Sequence, residues 1–324
     1  MFYSSKPVYL VWLCLTGIFG CQSTSTTNYP PTGLGAGGPR ENQRNFTMDV
    51  SGGSYQVSLY PKTYSALAGP SFSLIVVSPV LLSDEVLVNS GNASLIPFFN
   101  ARGVAVWSVR IPPQTPLEKF GRVVLPQITA AIRQQSTEAQ WVMAGISLGG
   151  QAVAHYLDEA PKHATVTGVN IRAAFFLGTG FDYAYPASFS RRLAQGTGQN
   201  LCADEFCARY LPGLKSDFVA ARKAITDAVG KPVWREVLDN VALKDKGVRI
   251  MFVAGKVDNV APSESVYKAF VRTIGDETKN SPDVRFYQPG RMNRLARDFD
   301  HVSLIASDDA ASDVWPEIIR WIDL

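Results

Sequence analysis

Six consecutive residues, Gly145-Ile146-Ser147-Leu148-Gly149-Gly150, join an apolar stretch to one with helical patterning. A serine hydroxyl is a poor nucleophile until the backbone holds it clear of its neighbours and a base stands beside it. A sharp strand-to-helix turn would hold it so. Gly145 and Gly149, two positions either side of Ser147, would let the chain turn without side-chain clash. The helix that follows points free N–H groups at the same place, which favours a developing oxyanion. The chemistry these residues suit is attack by Ser147 on a carbonyl carbon.

Such a nucleophile needs a base, and the chain contains only three histidines. His155 lies inside the following helix, directed away from the turn. His163 falls in the polar loop Pro161-Lys162-His163-Ala164. Both read as structural or exposed. His301, in Asp298-Phe299-Asp300-His301, follows the last expected strand and precedes the closing helix. Loops after the strands of a parallel sheet gather at one edge, so His301 is expected to reach Ser147. The imidazole also needs an acceptor that fixes its tautomer. Asp258, at the end of a strand in Ala254-Gly255-Lys256-Val257-Asp258, is the expected acid, with Asp182 after the preceding strand as the alternative. Asp298 and Asp300 are too close in sequence to approach the ring comfortably and are expected to be solvated.

These groups require a scaffold of alternating elements. Residues 46–50 and 55–60 alternate around Ser51-Gly52-Gly53-Ser54, a hairpin signal. Apolar runs at 72–77, 104–109, 141–144, 172–177, 249–253 and 284–287 read as strands, mostly buried on both faces. Helical spacing occupies 94–99, 117–132 with a kink expected at Pro126, 151–157, 263–274 and 315–322. The alternation implies a mostly parallel central sheet flanked by helices. Residues 182–246 contain no convincing strand and read as a helical cap inserted between 46–181 and 247–324, which form the core.

With 324 residues, 46% of them hydrophobic and 18% charged, the chain has ample material for such a core. A net charge of +3 with scattered Lys and Arg gives no nucleic-acid surface. No metal cluster with ligand spacing is evident, and residues 33–38 follow no strand, which argues against a phosphate loop. No cofactor is expected. Residues 1–20 hold an uncharged run over 8–19, short for a membrane span and suited to a signal-peptide core. Its end, Ile18-Phe19-Gly20-Cys21, resembles a bacterial lipoprotein cleavage site, with Cys21 the lipidated residue. An ordinary export signal or an uncleaved anchor are the alternatives. Residues 21–45, rich in Ser, Thr, Gly and Pro, read as a flexible tether. An exported chain in the cell envelope would meet oxidising conditions, where Cys202 and Cys207 suggest a local disulfide, two buried thiols being the alternative.

Taken together, Ser147, Asp258 and His301, in that order, resemble the α/β-hydrolase family from about Asn45 onward. The resemblance implies an α/β-hydrolase fold and a serine esterase that uses Ser147 as nucleophile, His301 as base and Asp258 as its orienting acid. It also implies a second oxyanion donor from the loop after the 72–77 strand. That loop reads Ser78-Pro79-Val80, and Pro79 has no N–H, so Val80 or Leu81 would donate alongside Leu148. The implied reaction is hydrolysis of a small-molecule or lipid ester through an acyl-enzyme. An acyltransferase with the same three residues and a non-catalytic envelope lipoprotein are the alternatives.

Overall fold

Every position of Phe72–Ser78 is buried, and the reason is its place in the sheet. The computed structural model describes residues 43–62, 72–78, 84–88, 94–159, 168–182, 223, 226–227, 247–274 and 283–323. All lie in the second of two compact units, Pro39–Leu324. The strands are β1 (Arg44–Val50), β2 (Gly53–Tyr60), β3 (Phe72–Ser78), β4 (Ala105–Arg110), β5 (Gln140–Ile146), β6 (Ile171–Leu177), β7 (Arg249–Val253) and β8 (Val284–Tyr287). They form one sheet in the order β1-β2-β4-β3-β5-β6-β7-β8. β1–β2 and β2–β4 pair antiparallel; the remaining pairs are parallel. This is the mostly parallel architecture expected from the alternation.

Successive residues of a strand face opposite sides, so a strand in the middle of the sheet needs apolar residues at every position. In β3, Ile75 and Val77 join one core and Leu74 and Val76 the other. The first core is closed by α3 (Leu117–Lys119), α4 (Leu125–Gln135), α5 (Leu148–Asp158) and α6 (Ser263–Ile274), through Phe120, Ile128, Val153 and Phe270 among others. The second is closed by α1 (Asp84–Val88), α2 (Leu95–Asn100) and α7 (Trp315–Asp323), through Leu87, Phe99, Trp315 and Ile322. The short helix α1 carried no sequence signal above.

The helical pattern over 117–132 is interrupted, but upstream of Pro126. A π-helical turn, Phe120–Val124, separates α3 from α4, and Pro126 stands in the first turn of α4. There the missing N–H costs little. The departure has a packing reason: a Cβ on Gly121 would fall 2.2 Å from the Ala152 carbonyl oxygen and 2.6 Å from His155 Cβ. Glycine lets the π turn press against α5, the helix that follows directly on Ser147.

Of the expected cap, only Asp182, Lys223, Thr226 and Asp227 fall among the described residues. Residues 1–20 and most of the tether, including Cys21, lie outside them, as do Val80, Leu81, His163, Cys202 and Cys207. The expected tether ends earlier than residue 45, because Arg44 and Asn45 pair with Leu59 and Ser58 as the start of β1.

Candidate active site

Ser147 sits between β5 and α5 with φ 51° and ψ −127°. A non-glycine residue in that region costs about 1–3 kcal/mol and persists only where its surroundings hold it. Two backbone bonds do so: Ser147 N–H donates to Leu177 O at 3.0 Å, and Gly150 N–H to Ser147 O at 3.0 Å. The flanking glycines are dictated by proximity. A Cβ on Gly145 would lie 2.4 Å from Gly150 Cα, and one on Gly149 2.2 Å from Val77 O. Gly150, which the sequence reading left without a role, would collide with Thr179 at 2.0 Å. β5 runs through Ile146, two residues past its expected end, so Gly145 is a ladder residue, paired with Val77 and Phe176. The turn proper begins at Ser147.

His301 lies 154 residues away in the chain, yet its Nε2 is 3.0 Å from Ser147 Oγ. Its Nδ1 is 2.8 Å from Asp258 Oδ2. The Asp258 side chain is wholly inaccessible. Its other oxygen accepts the N–H groups of Val260 and Ala261, each at 2.8 Å. A carboxylate only accepts, so Nδ1 of His301 donates to Asp258 and Nε2 is left to accept from the Ser147 hydroxyl. Burial by itself would lower the imidazole pKa. The charge and hydrogen bond of Asp258, with the charge of Asp300 added, outweigh burial and leave His301 raised above its ordinary value.

The loops are braced around this arrangement. Gly255 is close enough to Phe299 that a Cβ there would stand 2.5 Å from the Phe299 carbonyl, and Val257 N–H donates to the same oxygen at 3.1 Å. Asp300 and Ser303 exchange hydrogen bonds of 2.8 Å, Ser303 Oγ accepting from Asp300 N–H and Asp300 Oδ1 from Ser303 N–H. Neither nearby acid is simply solvated as expected: Asp298 Oδ1 accepts from Arg291 N–H at 2.9 Å, and both are only partly exposed.

Asp182 does not compete for the ring. It is buried, and its Oδ2 pairs with Lys268 Nζ at 3.1 Å. Ser265 Oγ accepts the N–H groups of Phe181 and Asp182, while Gln151 Nε2 donates to Gly180 O at 2.8 Å. The segment after β6 is thus held from α5 and α6. Gly178, at its start with φ 59°, lies against His301. Sequence reasoning assigned Gly178 nothing, although a glycine directly after a strand was a signal of close approach. Phe181 belongs to the core, stacked edge-on against Phe176 and Phe252. His155 is buried at 4% exposure with no partner for Nδ1.

Leu148, as the first residue of α5, has an N–H outside the helical ladder and adjacent to Ser147. A hydroxyl, an imidazole, a buried carboxylate and this N–H form an arrangement able, with the ring neutral, to activate the hydroxyl and receive negative charge beside it.

No family model matches the chain, and no curated protein matches it in sequence. Solved structures do match. A thermophilic esterase from Thermogutta terrifontis superposes with a TM-score of 0.52 at 13% identity, over 87% of this chain and 100% of that one. Est1E from Butyrivibrio proteoclasticus gives 0.52 at 14%, over 86% and 99%. A hydrolase from Pseudomonas aeruginosa PA01 gives 0.56 at 13%, over 87% and 99%. At these identities the likeness concerns the fold, and with the eight-stranded order above it gives the architecture its name: the chain adopts the α/β-hydrolase fold.

Proposed function

We propose that the protein is a serine hydrolase that cleaves carboxylic esters through an acyl-enzyme intermediate. The observation that carries this is the continuous contact from Ser147 Oγ through His301 to Asp258, at 3.0 and 2.8 Å, on a serine held at positive φ. His301 Nε2 takes the Ser147 proton as Oγ attacks the ester carbonyl. Asp258 keeps Nδ1 protonated and stabilises the imidazolium that forms. Leu148 N–H, and by the family resemblance Val80 N–H, receive the oxyanion; each such donor is worth about 3–4 kcal/mol in the transition state. The imidazolium then protonates the leaving alcohol, and the neutral ring activates the water that releases the acid and frees Ser147. The esterases among its structural neighbours favour an ester over other acyl substrates.

The apolar run over 8–19 directs export, Cys21 becomes the lipidated N-terminus of an envelope protein, and Cys202 and Cys207 pair after export. Mass spectrometry of the mature N-terminus tests this; an intact Met1 in cells would contradict it.

Hydrolysis of p-nitrophenyl esters of increasing acyl length tests the chemistry. Wild-type protein is expected to turn over at least some of the series, and Ser147→Ala to lose at least about a thousandfold in kcat. Hydrolysis by Ser147→Ala at the wild-type rate would overturn the proposal.

A further inference from the structure

The loop between β8 and His301 holds an apolar side chain out in water. Arg291–Asn293 form one tight helical turn, and Arg294 follows in the left-handed region at φ 65°. The turn is braced, not loose: Asp298 accepts Arg291 N–H at 2.9 Å, Asn293 N–H donates to Gly290 O at 2.9 Å, and Arg294 N–H to Arg291 O at 3.0 Å. On it Met292 is 83% exposed, between the exposed Arg291 and Arg294. The neighbouring loop continues the pattern. A Cβ on Gly290 would stand 3.7 Å from Lys256 Cβ, Lys256 is exposed, and Val257 is 56% exposed.

Single exposed apolar residues are ordinary. Here two share adjoining loops with three cations. Among the described residues no carboxylate forms an ion pair with the side chain of Lys256, Arg291 or Arg294. The acids nearby are engaged elsewhere: Asp300 and Asp309 face Arg297 at 3.9 and 3.7 Å, and Asp298 holds the Arg291 backbone. Cations beside short apolar tips fit a surface that offers negative charge at one depth and hydrocarbon just beneath it, which is an anionic lipid interface. A single-stranded nucleic acid would instead call for aromatic stacking platforms, which these five residues lack, and a duplex would make no use of the apolar tips.

We propose that Lys256, Val257, Arg291, Met292 and Arg294 dock the protein on an anionic membrane surface. Val257 immediately precedes Asp258, and the braced loop leads into His301, so docking presents the rim of the Ser147 site to the bilayer. The substrate class this favours, an ester within or at a lipid surface, rests on the hydrolase reading above.

The test is co-sedimentation of the full chain with vesicles of phosphatidylcholine alone or with about one third phosphatidylglycerol, at low salt. Wild type is compared with Lys256→Glu/Arg291→Glu and with Met292→Asp; whatever the N-terminal apolar run contributes is common to all three. Near an anionic surface each cation contributes roughly fivefold in affinity, so the double variant is expected to bind anionic vesicles at least roughly thirtyfold more weakly. Met292→Asp is expected to weaken binding as well, and zwitterionic vesicles to show no effect of the charge reversals. Equal binding of wild type and the double variant to anionic vesicles would overturn the proposal. Turnover of a short soluble ester separates the two readings. Lost vesicle preference with normal turnover in the wild type counts against docking alone. Absent turnover with the preference intact counts against the hydrolase alone.

Discussion

Gly178 leaves room for His301 and nothing more: a Cβ there would stand 3.2 Å from His301 Nδ1 and 3.5 Å from Asp258 Oδ2. The contact that orients the ring is therefore bounded on one side by a missing side chain. Gly178→Ala adds a methyl at that point and places an alanine at φ 59°, a conformation costing about 1–2 kcal/mol. It is expected to lower kcat by about ten- to a hundredfold, because small misplacements of reacting groups are costly. The melting temperature should fall by a few degrees. Wild-type kcat in this variant would show that the ring tolerates displacement.

The raised His301 value fixes a pH dependence. The base must be neutral to accept the Ser147 proton, so kcat/KM should fall with decreasing pH, with a midpoint above the ordinary value of about 6.5. Asp258→Asn removes the larger causes of the rise. Its acid limb should move to lower pH, and its rate should drop by about 10⁴-fold. Asp182→Asn, which weakens the pair between a buried carboxylate and the half-exposed Lys268 without touching the His301 ring, should remain within about threefold of wild type in rate. pH–rate profiles of the three proteins check both statements; an unmoved limb in Asp258→Asn would contradict them.

His155 behaves in the opposite sense. Burial first, and then the charge of Arg122, lower its pKa to about 4, with Glu118 and Asp158 pulling weakly upward. In the unfolded chain it titrates near 6.5. Between those values the unfolded state holds a proton that the folded state refuses, so stability falls as pH drops through that window, by about 3 kcal/mol in all. His155→Leu keeps an apolar side chain against Gly121 and removes the titration. Urea midpoints measured from pH 7 to 4 should fall less steeply in the variant. Identical slopes would show that His155 takes up its proton in the folded state.

Much of this arrangement was legible from residue type and position. Ser147 and Asp258 stand just after apolar runs and His301 in the longer loop after the last one, and the parallel sheet carries all three to one edge whatever their separation in the chain. What escaped depends on neighbours distant in sequence. Gly121 looks like any glycine in a helical pattern; only the approach of Ala152 and His155 explains the π turn there, and Pro126 drew the expectation because its effect is local. Gly145 reads as a turn residue from composition, yet its ladder partners Val77 and Phe176 keep it in β5. Asp300 was expected to face water because sequence proximity alone says nothing of Ser303, which folds back to hold it. Gly150 and Gly178 acquire meaning only once Thr179 and His301 are beside them.

An activated Ser147 hydroxyl reacts covalently with electrophiles that an ordinary serine ignores. Folded protein treated with a fluorophosphonate and mapped by peptide mass spectrometry should carry one phosphonyl adduct on Ser147. Labelling should be strongly slowed in His301→Ala and abolished in Ser147→Ala. An unlabelled wild type, or an adduct that forms at full rate without His301, would show that Ser147 is not activated by His301.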